Sequence, residues 1–125
     1  MIALVDDDVH VRHAIARVLR SAGYGVSEYV SGPDFLESLT HRRPKCVVLD
    51  VRMPVLDGFG VQEALARSGH NIPVIVVTGD HTAENGARAT KLGAVSCLPK
   101  PVNSDHLLAA VREACGPVCD QEPTT

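Results

Sequence analysis

The sequence predicts a single α/β domain in which five parallel strands form a sheet with helices on both faces. Apolar, strand-like runs alternate with segments of helical period five times along the chain. One of these runs, "IPVIVV" at 72–77, is apolar throughout, as is typical of a parallel strand buried on both faces. Strict alternation of this kind favours a doubly wound sheet. A chain of 125 residues that is 45% apolar is also long enough to form one core.

Each predicted strand is a short run of apolar or alternating residues. Four of the runs are largely apolar, whereas the second alternates apolar with polar residues, which predicts a less buried strand. The runs are "IALV" at 2–5, "YGVSEYV" at 24–30, "CVVL" at 46–49, "IPVIVV" at 72–77 and "AVSCL" at 94–98.

The segments between the strands repeat apolar residues at intervals of three and four, which predicts amphipathic helices. Asp8 and Asp57 occupy N-cap positions of the first and third helices, and a capping role is favoured for both over a role in the chemistry. The fourth helix, over about residues 82–92, is the weakest prediction, because Gly86 interrupts a thin apolar stripe.

Composition argues against several classes of protein. Only 3% of the residues are aromatic and the net charge is −3, so we expect no direct nucleic-acid binding by this domain. No apolar run approaches the ~20 residues that span a bilayer and the N-terminus lacks a signal-peptide pattern, so we expect no membrane association and a cytoplasmic location. The four cysteines suit a reducing compartment, and Cys115 and Cys119 lack the second pair of a zinc site. We expect residues 1–115 to form the domain and residues 116–125 a C-terminal tail or the start of a linker.

Four of the five predicted strands lead directly into charged or hydroxyl-bearing residues. Asp6 and Asp7 follow the first strand, Asp50 the third, Thr78 the fourth and Lys100 the fifth. Ligands of open parallel sheets bind beyond the carboxyl ends of the strands, so these five side chains are predicted to meet at one site. Singly, each would be an ordinary strand-end or surface residue. Their shared position is what favours a site.

These residue types suit the chemistry of a phosphoryl group. Three crowded carboxylates repel one another unless a cation lies among them, and hard oxygen ligands that leave room for water favour Mg²⁺, for which Mn²⁺ can substitute. The ammonium of Lys100 can neutralise further negative charge, and the Thr78 hydroxyl can donate a hydrogen bond. Asp50 can then act as the attacking oxygen, so the sequence predicts a site for one phosphoryl group beside a metal ion.

Four stretches of the sequence, in this order and spacing, resemble the receiver domains of two-component response regulators. They are "LVDDD" at 4–8, "VVLDVRMPVLDGFG" at 47–60, "VIVVTGD" at 74–80 and "GAVSCLPKPV" at 93–102. The resemblance covers roughly residues 2–115. It implies the flavodoxin-like fold with five strands in the order 2-1-3-4-5, which is the order of the chemotaxis receiver.

The resemblance implies that Asp50 is the phosphoacceptor, which takes a phosphoryl group from a sensor histidine kinase or a small phosphodonor. Thr78 and Lys100 would contact the phosphoryl oxygens, and the peptide bond between Lys100 and Pro101 is expected to be cis. Such a domain catalyses only its own phosphorylation and dephosphorylation, so we do not expect an enzyme that acts on an external substrate.

The resemblance also implies a set of protein ligands for Mg²⁺. Asp7 would bind the ion directly, and Asp6 mostly through water. Asp50 and the backbone carbonyl of Arg52 would complete the set.

Three further residues are expected to modulate the site. Arg52 lies two positions beyond the acceptor and Asp80 two beyond the threonine, and we expect an Arg52–Asp80 pair to screen the site and prolong the phosphorylated state. Cys97 stands three positions before the lysine, where many receivers have an aromatic residue that swings inward. Because a thiol has no ring to move, we expect the switch to be relayed mainly through residues 80–92.

The output is less closely specified. By the resemblance, phosphorylation switches the face around the fourth helix and fifth strand, which controls transcription or a partner protein, and a homodimer can form on phosphorylation. Two alternatives remain open: a degenerate receiver that serves only as a docking module, and a metal-dependent phosphohydrolase that uses an aspartyl phosphate. Turnover of an external phosphomonoester would separate the hydrolase from the receiver.

Overall fold

The computed structural model of the protein describes residues 1–80 and 82–116, in which five strands alternate with five helices. The elements are β1 (Ile2–Val5), α1 (Val9–Ser21), β2 (Val26–Tyr29), α2 (Gly32–Ser38), β3 (Cys46–Asp50), α3 (Gly58–Arg67), β4 (Val74–Thr78), α4 (Ala83–Lys91), β5 (Ala94–Pro99) and α5 (Ser104–Cys115). The strands form one sheet in the order β2-β1-β3-β4-β5, and every neighbouring pair is parallel. The predicted α/β class and the strand order implied by the resemblance are both confirmed.

The three central strands β1, β3 and β4 are buried at every residue, because helices cover the sheet on both sides. One core cluster lies between the sheet and α2, α3 and α4, and includes Phe35 and Phe59. The other lies between the sheet and α1 and α5, and includes Leu19 and Leu107. The edge strand β2 is only partly buried, as its alternating sequence predicts.

Four strands differ in extent from the sequence prediction, and two of these, β3 and β5, extend only one residue further, to Asp50 and Pro99. β2 covers Val26–Tyr29 rather than 24–30, because the N–H of Tyr24 donates to a carbonyl at the end of α1 and ties this residue to the helix. β4 begins after Pro73, which has no N–H to donate to a ladder, and it extends to include Thr78.

The first and third helices begin at the predicted caps. The Asp8 carboxylate accepts hydrogen bonds from the N–H groups of Val11 and His10, and the bond from Val11 contributes most to holding the pKa of Asp8 below its usual value. The Asp57 carboxylate accepts from the Gly60 N–H at 2.8 Å. Both capping predictions are confirmed.

The fourth helix is the least anchored by apolar contacts. Ala89 is the only buried residue of α4, all of which the structure describes. Thr82 caps the helix by accepting a hydrogen bond from the Asn85 N–H. The thin apolar stripe expected from the sequence is therefore present, and polar contacts must supply much of what positions this helix.

Two cysteines meet on the side of the sheet covered by α1 and α5. Cys46 is fully buried at the start of β3, and Cys115 packs against the same cluster from the end of α5. A hydrogen bond with the Cys115 thiol, together with burial, raises the pKa of Cys46, so this thiol stays protonated at neutral pH. Cys119, the other cysteine near the C-terminus, lies outside the described residues. None of the described helices is long and apolar enough to cross a membrane.

Candidate functional site

The predicted site residues come together at the carboxyl edge of the sheet. Asp6 and Asp7 directly follow β1, Asp50 is the last residue of β3, and Thr78 is the last residue of β4. Lys100 follows β5, and its peptide bond to the next residue, Pro101, is cis. The parallel register places the ends of these strands side by side, as expected for ligand sites in open sheets.

Three carboxylates form an acidic pocket. Asp6, Asp7 and Asp50 each offer an oxygen, and these oxygens all lie within 4.8 Å of one another. Asp6 and Asp50 are buried, at 2% and 5% exposure, whereas Asp7 is exposed. A set of hard oxygen donors that is open to water on one side fits Mg²⁺, which keeps several water ligands when it binds proteins.

Lys100 bridges the two buried carboxylates of the pocket. Its Nζ lies 3.0 Å from Asp6 Oδ2 and 2.9 Å from Asp50 Oδ1. The Lys100 N–H also donates to the Thr78 carbonyl at 2.9 Å, which places the start of the lysine side chain beside the end of β4. The ammonium therefore compensates part of the negative charge that the strand ends bring together.

The pKa values in the pocket reflect this crowding. Burial raises the pKa of Asp50 above its usual value, and the charges of Asp6 and Asp7 act in the same direction, against the opposing hydrogen bond from Lys100. Burial by itself would lower the pKa of Lys100, but hydrogen bonds to Asp50 and Asp6 outweigh it and the pKa is raised. The ammonium is therefore firmly charged at neutral pH.

Thr78 is fully buried at the end of β4, and its hydroxyl oxygen accepts a hydrogen bond from the Asp80 N–H at 3.0 Å. A hydroxyl that accepts in this way still has its proton to donate. The Asp80 carbonyl in turn accepts from the side-chain amide of Asn85, in the first turn of α4, at 2.8 Å. The end of β4 is thus linked to the start of α4 by hydrogen bonds.

Two of the proposed modulators, Arg52 and Asp80, lie just beyond the ends of β3 and β4, and the third, Cys97, lies within β5. The Arg52 guanidinium forms an ion pair with the Asp80 carboxylate, and both side chains are exposed. These two residues line an open groove between the β3–α3 loop and α4. Cys97 is half-buried in β5 and packs against the core beneath α4. Burial raises the pKa of its thiol.

Gly58, which the sequence pattern did not single out, is the residue that lets α3 begin directly beside the acceptor strand. A Cβ added to Gly58 would lie 2.5 Å from the Asp50 carbonyl oxygen and 2.9 Å from the Val51 Cα. The Gly58 N–H donates to the Val51 carbonyl at 2.8 Å. Only the Asp-Gly dipeptide at the helix start hinted at this role, and that dipeptide equally indicates an ordinary turn.

Arg12, which the sequence pattern also did not single out, is a cation buried behind the acidic pocket. Its side chain is on α1, where Nη1 donates to the Asp6 carbonyl at 2.8 Å and Nε to Glu28 Oε1 at 3.1 Å. The available signal was its spacing, because Arg12 lies on the same helical face as Ile15 and Leu19. A charged residue in that stripe indicates a buried partner.

Arg12→Met is expected to weaken Mg²⁺ binding about ten-fold, because the backbone of Asp6 loses one of the hydrogen bonds that hold it. The free energy of unfolding should fall by only about 1–2 kcal/mol, since Glu28 keeps Arg20 as a partner. Isothermal titration calorimetry with MgCl₂ and urea unfolding measure the two effects. Arg17→Met, at an exposed position on the same helix, is the matched control, and equal Mg²⁺ affinities of the two variants would contradict the prediction.

The fold and the position of the site define the class of protein. The family model for the response regulator receiver domain matches residues 2–112, and the chain belongs to this family. Receiver domains are generally non-enzymatic signalling modules that partner with histidine kinases and bind Mg²⁺ at an acidic pocket. The domain is thus the receiver of a two-component response regulator.

Two curated regulatory proteins are similar to this chain over most of its length. The tetrathionate response regulatory protein TtrR of Salmonella typhimurium is 42% identical over 113 residues, which cover 90% of this chain and 55% of TtrR. The transcriptional regulatory protein FixJ of Azorhizobium caulinodans is 36% identical over 118 residues, which cover 94% of this chain and 56% of FixJ. The chain therefore spans about half the length of the curated relatives it matches.

Solved structures of similar proteins share the fold of this chain. The crystal structure of FixJ-N matches with a TM-score of 0.85 at 32% identity, and the match covers 91% of each chain. The chemotaxis protein CheY4 of Vibrio cholerae matches with a TM-score of 0.83 at 28% identity, over 90% of this chain and 96% of CheY4.

Proposed function

We propose that this receiver is a working phosphoacceptor, which takes a phosphoryl group from a sensor histidine kinase onto Asp50 in a Mg²⁺-dependent reaction. The observation that carries the proposal is the position of Lys100, whose ammonium lies within hydrogen-bond distance of both Asp6 and Asp50. A cation held between two buried carboxylates is already in place to receive a group that brings more negative charge.

The proposed transfer is a displacement at phosphorus. A carboxylate oxygen of Asp50 forms a bond to the phosphorus of a phosphohistidine, the P–N bond breaks, and the imidazole leaves with the electron pair. The product is an aspartyl phosphate on this chain. Lys100 contacts the attacking carboxylate before the transfer, and the Thr78 hydroxyl can donate its proton to a phosphoryl oxygen afterwards.

Asp6, Asp7, Asp50 and the backbone carbonyl of Arg52 would hold the Mg²⁺, and Mn²⁺ can take its place. When bound, the ion neutralises the charge that gathers between the carboxylates and the phosphoryl oxygens. The proposal is supported by the clustering of the three carboxylates and by the exposure of Asp7, which leaves room for water ligands.

We propose that the Arg52–Asp80 ion pair slows the loss of the phosphoryl group by partly covering the mouth of the pocket. Exposed ion pairs contribute little energy, so the role of this pair is to exclude water from the aspartyl phosphate rather than to stabilise the fold. The Cys97 thiol has no ring that could move inward on phosphorylation. The signal is therefore relayed through α4 and the loop before it.

The proposed output is control of transcription or of a partner protein through the face formed by α4 and β5, with homodimerisation on phosphorylation as one route. Its support is the likeness to TtrR and FixJ, whose names describe regulatory proteins, and the low burial of α4.

We propose a cytoplasmic location and no nucleic-acid contact by residues 1–115. Residues 117–125, which belong to the segment expected from the sequence to be a tail or the start of a linker, lie outside the described residues.

Intact mass after incubation with acetyl phosphate tests the proposal. Wild type should gain one phosphoryl group only when Mg²⁺ is present, and Asp50→Asn should gain none. Asp57→Asn is the matched control, because this carboxylate caps α3 and should leave the gain unchanged.

A docking-only receiver is the second candidate, since Cys97 stands where the resemblance implies an aromatic residue. No gain of mass by wild type under any condition would favour it. Repeated turnover of p-nitrophenyl phosphate would instead favour the hydrolase.

A further inference from the structure

Three contacts of different strength hold α4 against the β3–α3 side of the molecule. Arg52 pairs with Asp80 just before the helix, and the Arg88 guanidinium lies 4.3 Å from the centre of the Phe59 ring. Both of these contacts are made by exposed arginines, which water competes for. The third contact is made by Gln62 of α3, which is 2% exposed and therefore shielded from that competition.

Gln62 caps the C-terminal end of α4 from the neighbouring helix. Its Nε2 donates to the Ala89 carbonyl at 3.0 Å. In a continuing helix, that carbonyl would accept from the Gly93 N–H, but Gly93 donates to the Thr90 carbonyl instead. Gln62 thus supplies a donor to a buried carbonyl that the end of α4 leaves open. Because the partner is a carbonyl, the nitrogen of the amide must face it, which fixes the orientation of the side chain.

The other half of the same amide is unsatisfied. Gln62 Oε1 is buried and has no hydrogen-bond partner among the described residues. A buried acceptor without a partner is destabilising, so the closed arrangement gains from the bond to Ala89 and loses from the unpaired oxygen. If the end of α4 moves away and water enters, Gln62 Oε1 becomes hydrated. The free energy gained by this hydration offsets much of the cost of losing the hydrogen bond to Ala89. The contact is therefore specific in geometry but easily released.

The two ends of α4 are linked to different groups. The start of the helix is linked to the active site, since the Asn85 side chain donates to the Asp80 carbonyl and the Asp80 N–H donates to the Thr78 hydroxyl. The C-terminal end is held by Gln62. A turn of the Thr78 hydroxyl toward a phosphoryl group would break its bond to the loop at the start of α4. The C-terminal end of the helix could then shift away from α3 only by breaking the buried Gln62 contact and the exposed Arg88–Phe59 contact.

We propose that Gln62 is a positioning residue for the switch: it latches the end of α4 onto α3 in the unphosphorylated domain and lets go when the acceptor site is occupied. The latch in the resting form is independent of the proposed function, whereas its release rests on it. Gln62 does not touch the reacting atoms and acts only through the position of α4.

Hydrogen exchange measured by mass spectrometry tests the latch, on the full chain alone and with Mg²⁺ and beryllofluoride as the phosphoryl mimic. Gln62→Leu, which removes both the donor and the unpaired acceptor, should raise exchange over residues 83–92 about ten-fold in the resting protein and leave β1 and β3 unchanged. Glu63→Leu, at the exposed neighbouring position, is the control. Exchange over 83–92 within two-fold of wild type in Gln62→Leu would overturn the latch.

Two further measurements keep the proposal testable if leucine repacks the site. Gln62→Glu places an acceptor against the Ala89 carbonyl and should also free α4. In wild type, the side-chain amide protons of Gln62 should be protected in the NMR spectrum of the resting protein and lose that protection with beryllofluoride, a change that a merely structural residue would not show.

The outcomes for the latch and for the proposed function are distinguishable. If acetyl phosphate adds no mass to Asp50 and beryllofluoride changes nothing, the proposed function and the release fail together, while the resting-state comparison still upholds or overturns the latch. If Asp50 is phosphorylated but the Gln62 amide stays protected, only the release is overturned.

Discussion

Lys100→Met is expected to lower the free energy of unfolding by about 3 kcal/mol at pH 7 in EDTA, because breaking a buried ion pair leaves its partners uncompensated. In this domain two buried carboxylates, Asp6 and Asp50, share the one ammonium. Methionine has nearly the same length and apolar stem, so the change removes charge rather than packing. Mg²⁺ should restore part of the lost stability, since a divalent cation can neutralise the same carboxylates.

The loss should depend on pH with a defined sign. The raised pKa of Asp50 means that its carboxyl group binds a proton more tightly in the folded state than in the unfolded chain, where its pKa is 3.8. Ionisation of Asp50 therefore destabilises the fold as pH rises from about 3.8 through the raised folded pKa. Without Lys100 the opposing hydrogen bond is gone and this destabilisation grows. Wild type and variant should be close in stability in acid and diverge as pH approaches neutrality.

Lys100 itself contributes with the same sign, but at a much higher pH. Its pKa is raised from 10.5 in the folded state, so its stabilisation is fully present below that pH and is lost as pH rises through the folded value. Between mildly acidic pH and about pH 10, wild type should thus keep the full contribution of the lysine.

Urea unfolding of both proteins between pH 4 and pH 7, with EDTA or with MgCl₂, measures these effects. The double variant Asp50→Asn with Lys100→Met should regain at least half of the loss, because one of the two unpaired charges is gone. Lys91→Met, at an exposed position, is the control and should change little. Equal stability of wild type and Lys100→Met at pH 7 in EDTA would contradict the prediction.

Gly58→Ala should lower the free energy of unfolding by about 3 kcal/mol, at the upper end of what overpacking costs. The added Cβ would meet the Asp50 carbonyl oxygen at 2.5 Å, and no side-chain rotation can relieve a contact between two backbones. Either α3 moves away or the end of β3 shifts. A shift of β3 would also carry the Asp50 carboxylate away from Lys100, so phosphorylation by acetyl phosphate should slow as well.

Gly86→Ala is the matched control for this prediction. Gly86 lies inside α4, and a Cβ there meets nothing within 4 Å, so alanine should stabilise the protein by about 1 kcal/mol through its higher helix propensity. Urea unfolding compares the two alanine variants with wild type. A Gly58→Ala protein as stable as wild type would show that α3 can move away from the acceptor strand without loss.

Local pattern was sufficient for much of the fold. Apolar runs and helical spacing predicted all five strands and five helices, and the caps Asp8 and Asp57, because these signals depend on neighbours within a few residues. The limits of β2 and β4 were less well predicted. They depend on a hydrogen bond from Tyr24 to the end of α1, and on Pro73, whose carbonyl accepts from the Val47 N–H but which has no N–H of its own to donate to the ladder.

For the site, the sequence by itself determined which groups lie at the carboxyl edge of the sheet, because each group directly follows an apolar strand and parallel strands end together. Only the tertiary structure decided which of them touch: that Lys100 bridges Asp6 and Asp50, that Arg12 supports the Asp6 backbone, and that Gln62 caps α4. These contacts join residues far apart in the chain, and each depends on the distance between packed elements rather than on the residues beside it.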